Sequence, residues 1–581
     1  MKFDVLGCLK LVVGLVFWFI NTTVVAQPNV IVIMTDDQGF GDFGVTGNTV
    51  LDTPNIDKLA SQSVTFDRFY VSPVCTPTRA SLMTGRYHQR TGAVDTWRGG
   101  AMMRPDEVTM AEAMRAGGYA TGIFGKWHLG DCYPMRAMDQ GFDHALVHQG
   151  GGLAQPSEPI ENRKRYTDPI LFRNGEEIQT KGYCTDVYFS EAINFIVEKV
   201  QDRKPFFAYI ATNAPHGPFH DVPKDLYEKY RATDLSPILL GHEGDADVVA
   251  RIFAMVENVD QNVGRLINEL DRLGIADNTV VVFMVDNGPN TRRYVGDMRG
   301  KKSEVHDGGV RSPLFIRYPA KFKAGRRVMQ NAAHIDIMPT LLDVAGVDKP
   351  EGVKFDGRSL LRLITAKPGA NVSWDPRTIV IQAHRGNSSE RFHNCMVIND
   401  HWKLVRPSGF GKQKVNGAVQ FELYNIDLDP KESKNLAGEQ ASVCEKLKTD
   451  YLAWHADISG SIKERPRIEV ASRHQPKTVL TRQDWLPHDP GWGSRGRWLV
   501  TSKNAKVAKV TLLLRVPMKE NGPANLTVGE EIYVSLFKQG QSSVVFDNIE
   551  LPEGDFEVEA IIDRQGQVVG PWHLVVERVN R

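Results

Sequence analysis

Four stretches of the chain share one pattern, in which an apolar run of strand length is followed at once by a polar cluster. Such an uninterrupted run is typical of a strand buried on both faces of a parallel sheet, because a half-exposed strand would alternate. The pattern therefore predicts core strands that each end in functional groups. The four stretches are NVIVIMTDDQG (29–39), YATGIFGKWHLG (119–130), FFAYIATNAPHGP (206–218) and NTVVVFMVDNG (278–288).

Segments with helical periodicity lie between these predicted strands, among them TPNIDKLASQS (53–63), TMAEAMRAGG (109–118) and the long stretch 248–274. Alternating strands and helices predict an α/β fold with a doubly wound, mainly parallel sheet. Ligands of such sheets bind at the edge where the carboxyl ends of the strands meet. All four polar clusters fall at those ends, so the sequence predicts a single site there.

The pattern changes twice towards the C-terminus. From about 374, the strand-like stretches CMVINDHWKLVR and FELYNIDLDP precede a predicted helix near 442–456, which indicates a smaller α+β subdomain. Beyond 459, several short alternating strands between Gly, Pro and Asn turns predict an accessory, sandwich-like all-β domain. The predicted division is a signal peptide (1–26), a catalytic α/β domain (27–373), the α+β subdomain (374–458) and the β domain (459–581).

The composition limits which kinds of binding partner are expected. The chain has 581 residues, 41% hydrophobic and 24% charged, which indicates a globular protein of more than one domain. Lys plus Arg and Asp plus Glu number 70 each, so no net charge favours nucleic acid or an anionic membrane as a general partner. No membrane span is predicted.

The first 26 residues have the order of a secretory signal peptide. Lys2 and Lys10 precede a short apolar stretch, 11–20, and Val24-Val25-Ala26 fits a small-residue cleavage site. The stretch is shorter than the roughly 20 residues of a membrane span. A buried first strand or helix is the alternative interpretation. The expected location is therefore periplasmic or secreted.

One cysteine stands apart from the others. Without the signal peptide, five remain, and an odd number in an exported protein leaves at least one unpaired or modified. Cys75 is the candidate, because in SPVCTPTRASLMTGR (72–86) it lies among hydroxyl groups, near Arg79, at the start of a predicted helix. The spacing leaves open whether the other four form disulfides. They are Cys132, Cys184, Cys395 and Cys444.

Two of the polar clusters indicate a metal site. Asp36, Asp37, Asp286 and Asn287 offer three carboxylates and one amide oxygen. An all-oxygen set suits a hard cation, calcium or magnesium, rather than zinc. Either pair alone could equally be a helix cap or a turn, but both follow apolar strands, which favours the metal.

Basic residues accompany these oxygens. A ring of basic side chains around a divalent cation would trap a tetrahedral oxyanion, since Arg donates a forked pair of hydrogen bonds and Lys a compact charge. Histidine can exchange protons near neutral pH. A lone histidine is usually only a satisfied polar residue, so the argument depends on convergence of the group. The residues are Arg79, Lys126, His128, His216 and Lys302.

These motifs resemble those of the type I, formylglycine-dependent sulfatases of the alkaline phosphatase-like superfamily. Cys75-Thr76-Pro77-Thr78-Arg79 followed by ASLMTGR is similar to the signature in which the cysteine is oxidised to formylglycine (3-oxoalanine). The resemblance spans about 28–459 and extends to secreted bacterial polysaccharide sulfatases. The other matching blocks, in order, are MTDDQG, GKWHLG, NAPHGPF, VDNG, GKKSEVHDGGVRSP and ELYNIDLDPKESKNLA.

The resemblance implies a set of cofactors and a partner. It implies one calcium ion per chain, formylglycine derived from Cys75, and a maturation enzyme that makes it. A hydroxyl of the hydrated aldehyde would attack sulfur, which divides one displacement into two easier steps. The implied calcium ligands are Asp36, Asp37, Asp286, Asn287 and the modified Cys75.

The resemblance also implies catalytic roles. Lys302 and His216 would contact the sulfate, with His216 as the preferred proton donor to the leaving oxygen. His128 would deprotonate the second hydroxyl and so release sulfate, while Arg79 and Lys126 steady the hydrate. Lys302 is preferred to its neighbour Lys301 because it lies five residues before Asp307-Gly308-Gly309. Asp307, where many relatives carry Glu, is expected to affect loop packing rather than chemistry.

The expected function is hydrolysis of sulfate esters on a carbohydrate, such as an algal polysaccharide or its oligosaccharides. The alternatives are an arylsulfatase or a phosphoester hydrolase of the same superfamily. A phosphoester hydrolase would need an Asp and His set for paired zinc, and the sequence offers no obvious one. A third alternative is a glycan-binding or scaffold protein with a vestigial site that works through its β domain. Loop residues beside the motifs are candidates for sugar binding, although a Trp over the core and a solvated Arg are equally expected. They are Trp97, Arg98, His220, Arg293, His384 and Arg385.

Overall fold

The computed structural model describes most of the chain after the predicted signal peptide, which itself lies outside the described residues. Within them, no helix is both long and apolar enough to cross a bilayer. The described ranges are 27–153, 155–367, 372–386, 389–411, 420–460, 464–488, 494–503, 507–564 and 566–579.

The described residues up to 367 alternate between strands and helices, as the sequence predicts. The strands are β1 (Asn29–Thr35), β2 (Val64–Phe66), β3 (Phe69–Tyr70), β4 (Ala120–Lys126), β5 (His144–His148), β6 (Ile170–Arg173), β7 (Glu176–Gln179), β8 (Phe206–Ala211), β9 (Thr279–Val285), β10 (Arg311–Ser312), β11 (Leu314–Arg317), β12 (Arg326–Val328) and β13 (Ala332–Ala333). The helices are α1 (Pro54–Ser61), α2 (Cys75–Thr84), α3 (His88–Thr91), α4 (Met110–Ala116), α5 (Cys184–Gln201), α6 (Lys224–Arg231), α7 (Ser236–Leu239), α8 (Ala246–Arg272), α9 (Asp307–Val310), α10 (Ile337–Ala345) and α11 (Leu361–Thr365).

The largest sheet has the order β12-β2-β11-β9-β1-β8-β4-β5-β6-β7. Its central strands β9, β1, β8, β4 and β5 run parallel, and β11, β6 and β7 are antiparallel to their inner neighbours. The strands that carry the four polar clusters are therefore adjacent, and their carboxyl ends meet at one edge. This confirms the predicted α/β fold class. A small sheet, β10-β3-β13, flanks the large one.

Helices cover both faces of the large sheet. Alternate residues of β1 enter two separate cores: Val30 and Val32 pack with Leu341 of α10 on one face. Ile31 and Ile33 pack in the other core, which also contains residues of α5 and α8. Burial on both faces explains why these strands are apolar throughout instead of alternating.

The α+β part is an antiparallel sheet packed against one helix. The sheet order is β14-β15-β16-β17, and α12 packs on β15 and β16. On β16, the buried Lys403 Nζ lies 2.5 Å from Asp307 Oδ1 and 2.7 Å from Glu432 Oε1. Asp307 thus fastens the loop after Lys302 to this sheet. The elements are β14 (Ile379–Gln382), β15 (Cys395–Asn399), β16 (Trp402–Arg406), β17 (Glu422–Asn425) and α12 (Ala441–Ser459).

The last part of the described chain consists of two sheets that share a core. One has the order β18-β21-β26-β23-β24, with β20 beside β21 and β27 beside β26, and the other the order β19-β28-β22-β25. Leu526 of the first and Leu512 of the second belong to one apolar cluster. The strands are β18 (Ile468–Glu469), β19 (Lys477–Thr481), β20 (Leu486–Pro487), β21 (Gly496–Ser502), β22 (Val507–Leu513), β23 (Gly522–Val528), β24 (Glu531–Phe537), β25 (Ser543–Glu550), β26 (Gly554–Arg564), β27 (Gln567–Val569) and β28 (His573–Arg578).

These two sheets, called the C-terminal β sheets below, pack directly on the α/β part. Their shared core takes in Met102, Cys132 and Met135. His573 Nε2 lies 2.8 Å from the carbonyl oxygen of Pro156. The five cysteines of the described residues, Cys132 among them, are all buried and free of disulfides. The C-terminal β sheets are therefore held by burial and hydrogen bonds.

Candidate active site

Cys75 is the first residue of α2 and is buried, with 3% of its surface exposed. The next residues hold this helix start against two strand ends. Thr76 Oγ1 donates to the carbonyl of His128 (3.2 Å) and Thr78 Oγ1 donates to that of Asp286 (2.7 Å). Pro77 fits the first turn, where a helix needs no N–H donor. The hydroxyls of the motif thus place Cys75 between the ends of β4 and β9.

Arg79 lies one turn further along α2 and is fully buried. Its Nη2 and Nε donate to Asp286 Oδ2 at 2.8 and 3.2 Å, and its Nη1 donates to the carbonyl of Lys126 at 2.8 Å. Burial alone would lower the pKa of Arg79, but the charge of Asp286 outweighs it and raises that pKa. The guanidinium of Arg79 is therefore a fixed positive charge one helical turn from Cys75.

The four predicted metal ligands converge at the ends of β1 and β9. Asp37 N donates to Asp286 Oδ1 (3.2 Å), and Asn287 Nδ2 donates to Asp37 Oδ1 (2.9 Å). Ligand atoms of Asp36, Asp286 and Cys75 lie within 4.8 Å of one another. Asp37 has a φ of 62°, a left-handed conformation that Asp tolerates better than most residues.

Three oxygens of this group are buried without a hydrogen-bond partner: Asp36 Oδ1, Asp37 Oδ2 and Asn287 Oδ1. Leaving such atoms unsatisfied is costly, and their clustering indicates that something else binds them. Carboxylate and amide oxygens are the ligands that Ca²⁺ prefers. The residues present therefore fit a calcium ion.

Two lysines reach into the same cluster. Lys126 Nζ donates to Asp36 Oδ2. Lys302 Nζ lies 2.5 Å from Asp37 Oδ1 and 4.0 Å from Cys75 Sγ. The neighbouring Lys301 instead donates to the carbonyl of Asn290 (3.2 Å). Lys302 is thus the lysine that reaches Cys75.

The charges of the cluster perturb one another. Burial alone would raise the pKa of Asp36, but positive neighbours, chiefly Lys126, lower it. Burial and the negative charge of Asp36 raise the pKa of Asp286. Burial raises the pKa of the Cys75 thiol. An unmodified Cys75 is therefore a poor nucleophile, because the thiolate is the reactive form.

Two histidines face the same region with different nitrogens engaged. His128 Nε2 lies 2.9 Å from the carbonyl oxygen of Thr96, and His128 Nδ1 is buried without a partner. His216 Nδ1 lies 2.7 Å from the carbonyl oxygen of Gly217, and His216 Nε2 is 3.7 Å from Asp37 Oδ2. Burial lowers the pKa of both imidazoles, and Asp37 partly opposes this at His216.

Sequence reasoning missed the glycine loop that touches both histidines. A Cβ on Gly151 would lie 2.5 Å from Cε1 of His128, and one on Gly152 would lie 3.1 Å from Cε1 of His216. Only glycine lets the backbone approach these rings so closely. The run of three glycines at 150–152 was the available signal.

The predicted sugar-binding residues separate into two groups, and the first lies near His128. Arg98 and Arg385 stack on the ring of Trp97, at 5.0 and 5.1 Å from its centroid. Arg385 also pairs with Asp95 (2.5 Å) and donates to Thr96 Oγ1 (3.0 Å). Trp97 is only 6% exposed, so these side chains form a packed wall rather than an open platform.

Of the remaining three, Arg293 and His384 are held by partners outside the cluster. Arg293 is 3% exposed and pairs with Asp42, Nε to Oδ1 at 2.8 Å, so its role is to support the loop after Asp37. His384 stacks on His393 with ring centroids 4.2 Å apart, and both of its nitrogens form hydrogen bonds to backbone atoms. A sugar cannot reach either side chain without displacing these partners. His220 is exposed, and its role in sugar binding stays a prediction.

The site as a whole combines a cation-binding set of oxygens, a buried cysteine at a helix start and a surrounding group of basic side chains. A family model named Sulfatase matches residues 28–347. A second one, N-sulphoglucosamine sulphohydrolase, C-terminal, matches residues 300–455. The first match covers more than half of the chain, and the chain therefore belongs to the sulfatase family.

Individual relatives agree. N-acetylgalactosamine-6-sulfatase of Canis lupus familiaris is 32% identical over 363 residues, which are 58% of this chain and 65% of that protein. The match thus spans slightly less than two thirds of the mammalian relative. N-acetylgalactosamine-6-O-sulfatase of Bacteroides thetaiotaomicron is 27% identical over 500 residues, covering 72% and 92%. The crystal structure of Ps i-CgsB in complex with k-i-k-neocarrahexaose is 26% identical, with a TM-score of 0.63 and coverage of 76% of this chain and 95% of that chain.

Proposed function

We propose that this protein hydrolyses sulfate esters of a sulfated carbohydrate, with Cys75 oxidised to formylglycine and with a bound calcium ion. The observation that carries the proposal is the position of Cys75 at the start of α2. Its Sγ lies 4.0 Å from Lys302 Nζ and within 4.8 Å of a carboxylate oxygen of Asp36 and one of Asp286. A group that attacks sulfur from this position would have the positive charges of Lys302 and Lys126 beside it, and these would stabilise the negative charge that develops.

Asp36, Asp37, Asp286 and Asn287 would hold the calcium ion, beside residue 75. The bound ion would supply a Lewis acid that polarises a sulfate oxygen. The oxidised side chain of residue 75 would supply a hydroxyl nucleophile in place of a buried thiol. Arg79, paired with Asp286, keeps this side chain and the metal ligands in one rigid unit.

The basic side chains divide the remaining work. Lys302 contacts the oxygens of the bound sulfate, which positions the sulfur for attack. Lys126, which is buried and paired with Asp36, steadies the side chain of residue 75. His216 Nε2 faces the site, since Nδ1 donates to the carbonyl of Gly217. The doubly protonated ring, which the charge of Asp37 favours, is the proton donor to the leaving oxygen. His128 presents the unpartnered Nδ1 and is the base that completes sulfate release.

Relatives and surface charge support the proposed substrate class. Relatives of this chain carry names of amino-sugar sulfatases, and one solved relative holds a neocarrahexaose. A cavity of about 480 Å³ lies beside the Lys302 loop and is lined by Arg292, Arg299 and Lys301, with one acidic side chain, Glu304. Its excess of positive charge suits an anionic glycan. We propose that the substrate is an algal polysaccharide or an oligosaccharide derived from it.

The test is the mass of the Cys75 peptide, from protein made in a host that has the maturation enzyme. Conversion to the aldehyde lowers the mass by about 18 Da. We expect that shift together with release of inorganic sulfate from sulfated oligosaccharides, and no release by Cys75→Ala. An unconverted thiol in protein that releases sulfate would contradict the proposed nucleophile. Faster turnover of phosphate than of sulfate esters would favour a phosphoester hydrolase.

We also propose that the chain is exported through residues 1–26. Support comes from the order of charged, apolar and small residues there. Cell fractionation with N-terminal sequencing checks this, and an N-terminus at Gln27 outside the cytoplasm is the expected result. An intact Met1 in the cytoplasm would contradict export.

A further inference from the structure

The C-terminal β sheets reach the catalytic histidine through one buried glutamine. Gln483, between β19 and β20, is 1% exposed. Its Nε2 donates to the carbonyl of Thr96 at 2.6 Å and lies 3.4 Å from His128 Nε2. The backbone carbonyl of Gln483 accepts a hydrogen bond from Gly99 N at 3.0 Å. A residue about 355 positions away in the chain thus touches the ring that the proposed reaction uses as a base.

The carbonyl of Thr96 links the two side chains. It accepts from Gln483 and lies 2.9 Å from His128 Nε2, so its two lone pairs are both engaged. Because a carbonyl oxygen only accepts, His128 Nε2 must carry the hydrogen. The bond therefore fixes both the tautomer and the plane of the imidazole, and it leaves Nδ1 free to accept a proton.

We propose that Gln483 is a positioning residue for His128, and that the C-terminal β sheets are therefore part of the catalytic unit rather than a separable accessory. The inference rests on the proposed function, in which His128 is the base. His128 has a φ of 57°, a left-handed conformation that the surroundings must hold in place. On the side of Thr96, Gln483 and Arg385 supply that support.

The structure offers a matched pair of glutamines to separate positioning from docking. Gln475 also joins the C-terminal β sheets to the α/β part, because its Oε1 accepts from Tyr133 N at 2.7 Å. This hydrogen bond involves neither His128 nor Thr96. Gln475→Met therefore removes one hydrogen bond of the same interface, and Gln483→Met removes the bond that reaches Thr96, with similar side-chain volume in both cases.

Both variants are compared with the wild type for sulfate release from one sulfated oligosaccharide. We expect Gln483→Met to lower kcat by about ten- to a hundredfold, with KM changed by less than about twofold, since misplacing a catalytic group affects the chemical step. Gln475→Met should keep the wild-type kcat. Equal losses in the two variants, or a wild-type kcat in Gln483→Met, would overturn the proposal.

A second readout is independent of turnover. Nitrogen NMR of protein with isotope-labelled histidine, assigned with His128→Gln, reports the tautomer of His128. We expect a single Nε2-protonated form in the wild type and in Gln475→Met, and a mixture of tautomers in Gln483→Met. An unchanged His128 signal in Gln483→Met would overturn the positioning role even if the wild type released no sulfate. Absence of sulfate release alone would count against the proposed function.

Discussion

Arg79 and Asp286 form an ion pair in which neither side chain is exposed, with Nη2 2.8 Å from Oδ2. The fork of the guanidinium also reaches the carbonyl of Lys126. A lysine cannot make both contacts, because it presents one compact charge. The pair therefore predicts that Arg79 is irreplaceable even by another cation.

We expect Arg79→Lys to lower the free energy of unfolding by about 2–4 kcal/mol, since it leaves a buried charge poorly paired. The rate of sulfate release should fall by about a hundredfold or more, because catalytic groups that are misplaced by about 1 Å lose roughly that factor. Denaturant unfolding and initial rates measure the two effects. Arg327→Lys is the control, because Arg327 is 72% exposed and pairs with Asp67 at the surface. Similar destabilisation in both variants would contradict the argument.

The three unpartnered oxygens of the metal cluster predict a calcium-dependent stability. Calcium that binds only the folded chain adds about 2.7 kcal/mol at a hundredfold excess over its Kd. We expect a chelator to lower the Tm, and Ca²⁺ to restore it more fully than Mg²⁺, which demands stricter octahedral geometry. Asn287→Leu should lose most of this shift. A Tm that is the same with chelator and with Ca²⁺ would rule out a stabilising ion.

Much of the fold was predictable because the relevant signals are local. The uniformly apolar runs of β1, β4, β8 and β9 indicated a sheet buried on both faces, and the structure confirms that these strands are neighbours. Residues that directly follow such strands, such as Asp36 and Asp286, could be grouped because parallel strands end at one edge. The antiparallel margins of the sheet carried no comparable signal.

The rest of the site depends on contacts that no local pattern encodes. Arg293 was expected to bind sugar, but it pairs with Asp42, about 250 positions away. The neighbours of His128 come from the segment at Thr96, from Gly151 and from the C-terminal β sheets. Tertiary packing alone decides which polar residue meets which partner, so a single sequence leaves these assignments open.

Gly151 lies so close to the ring of His128 that adding one methyl group, in Gly151→Ala, is expected to reduce activity strongly. A Cβ on Gly151 would lie 2.7 Å from His128 Nε2, so the ring would have to move. We expect Gly151→Ala to lower kcat by about ten- to a hundredfold, with a Tm close to that of the wild type. Gly244→Ala is the control, because a Cβ there meets nothing within 4 Å. A fully active Gly151→Ala would show that the ring tolerates displacement.

The proton-donor role of His216 predicts a dependence on the leaving group. Alkyl sulfates release a strongly basic oxygen that needs a proton, whereas aryl sulfates with an acidic phenol do not. We expect His216→Gln to lower turnover of an alkyl sulfate by about 10²-fold or more and that of an acidic aryl sulfate much less. Lys302→Met, which removes a sulfate contact, should lower both alike. An equal loss on both substrates in His216→Gln would exclude the proton-donor role.

Two buried histidines outside the site predict how stability responds to acid. Burial, with the charge of His88 as a lesser cause, lowers the pKa of His334 to about 3, and burial lowers the pKa of His88 to about 4. His334 Nε2 lies 3.2 Å from Ser72 Oγ, and His334 Nδ1 is buried without a hydrogen-bond partner, so no acidic side chain is hydrogen-bonded to the ring. The unfolded chain binds these protons near pH 6.5 and the folded chain does not. Their contribution to stability is therefore complete above pH 6.5 and is lost as the pH falls towards 3–4.

We expect the Tm, measured at a constant saturating calcium concentration, to fall progressively below pH 6.5, with each buried histidine contributing up to about 1.4 kcal/mol per pH unit. His334→Gln removes one of these proton-binding steps, so its Tm should decline less steeply between pH 6.5 and 4.5. His220→Gln is the control, because that side chain is exposed and its removal should leave the slope unchanged. The same slope in His334→Gln as in the wild type would mean that His334 does not contribute to the acid sensitivity.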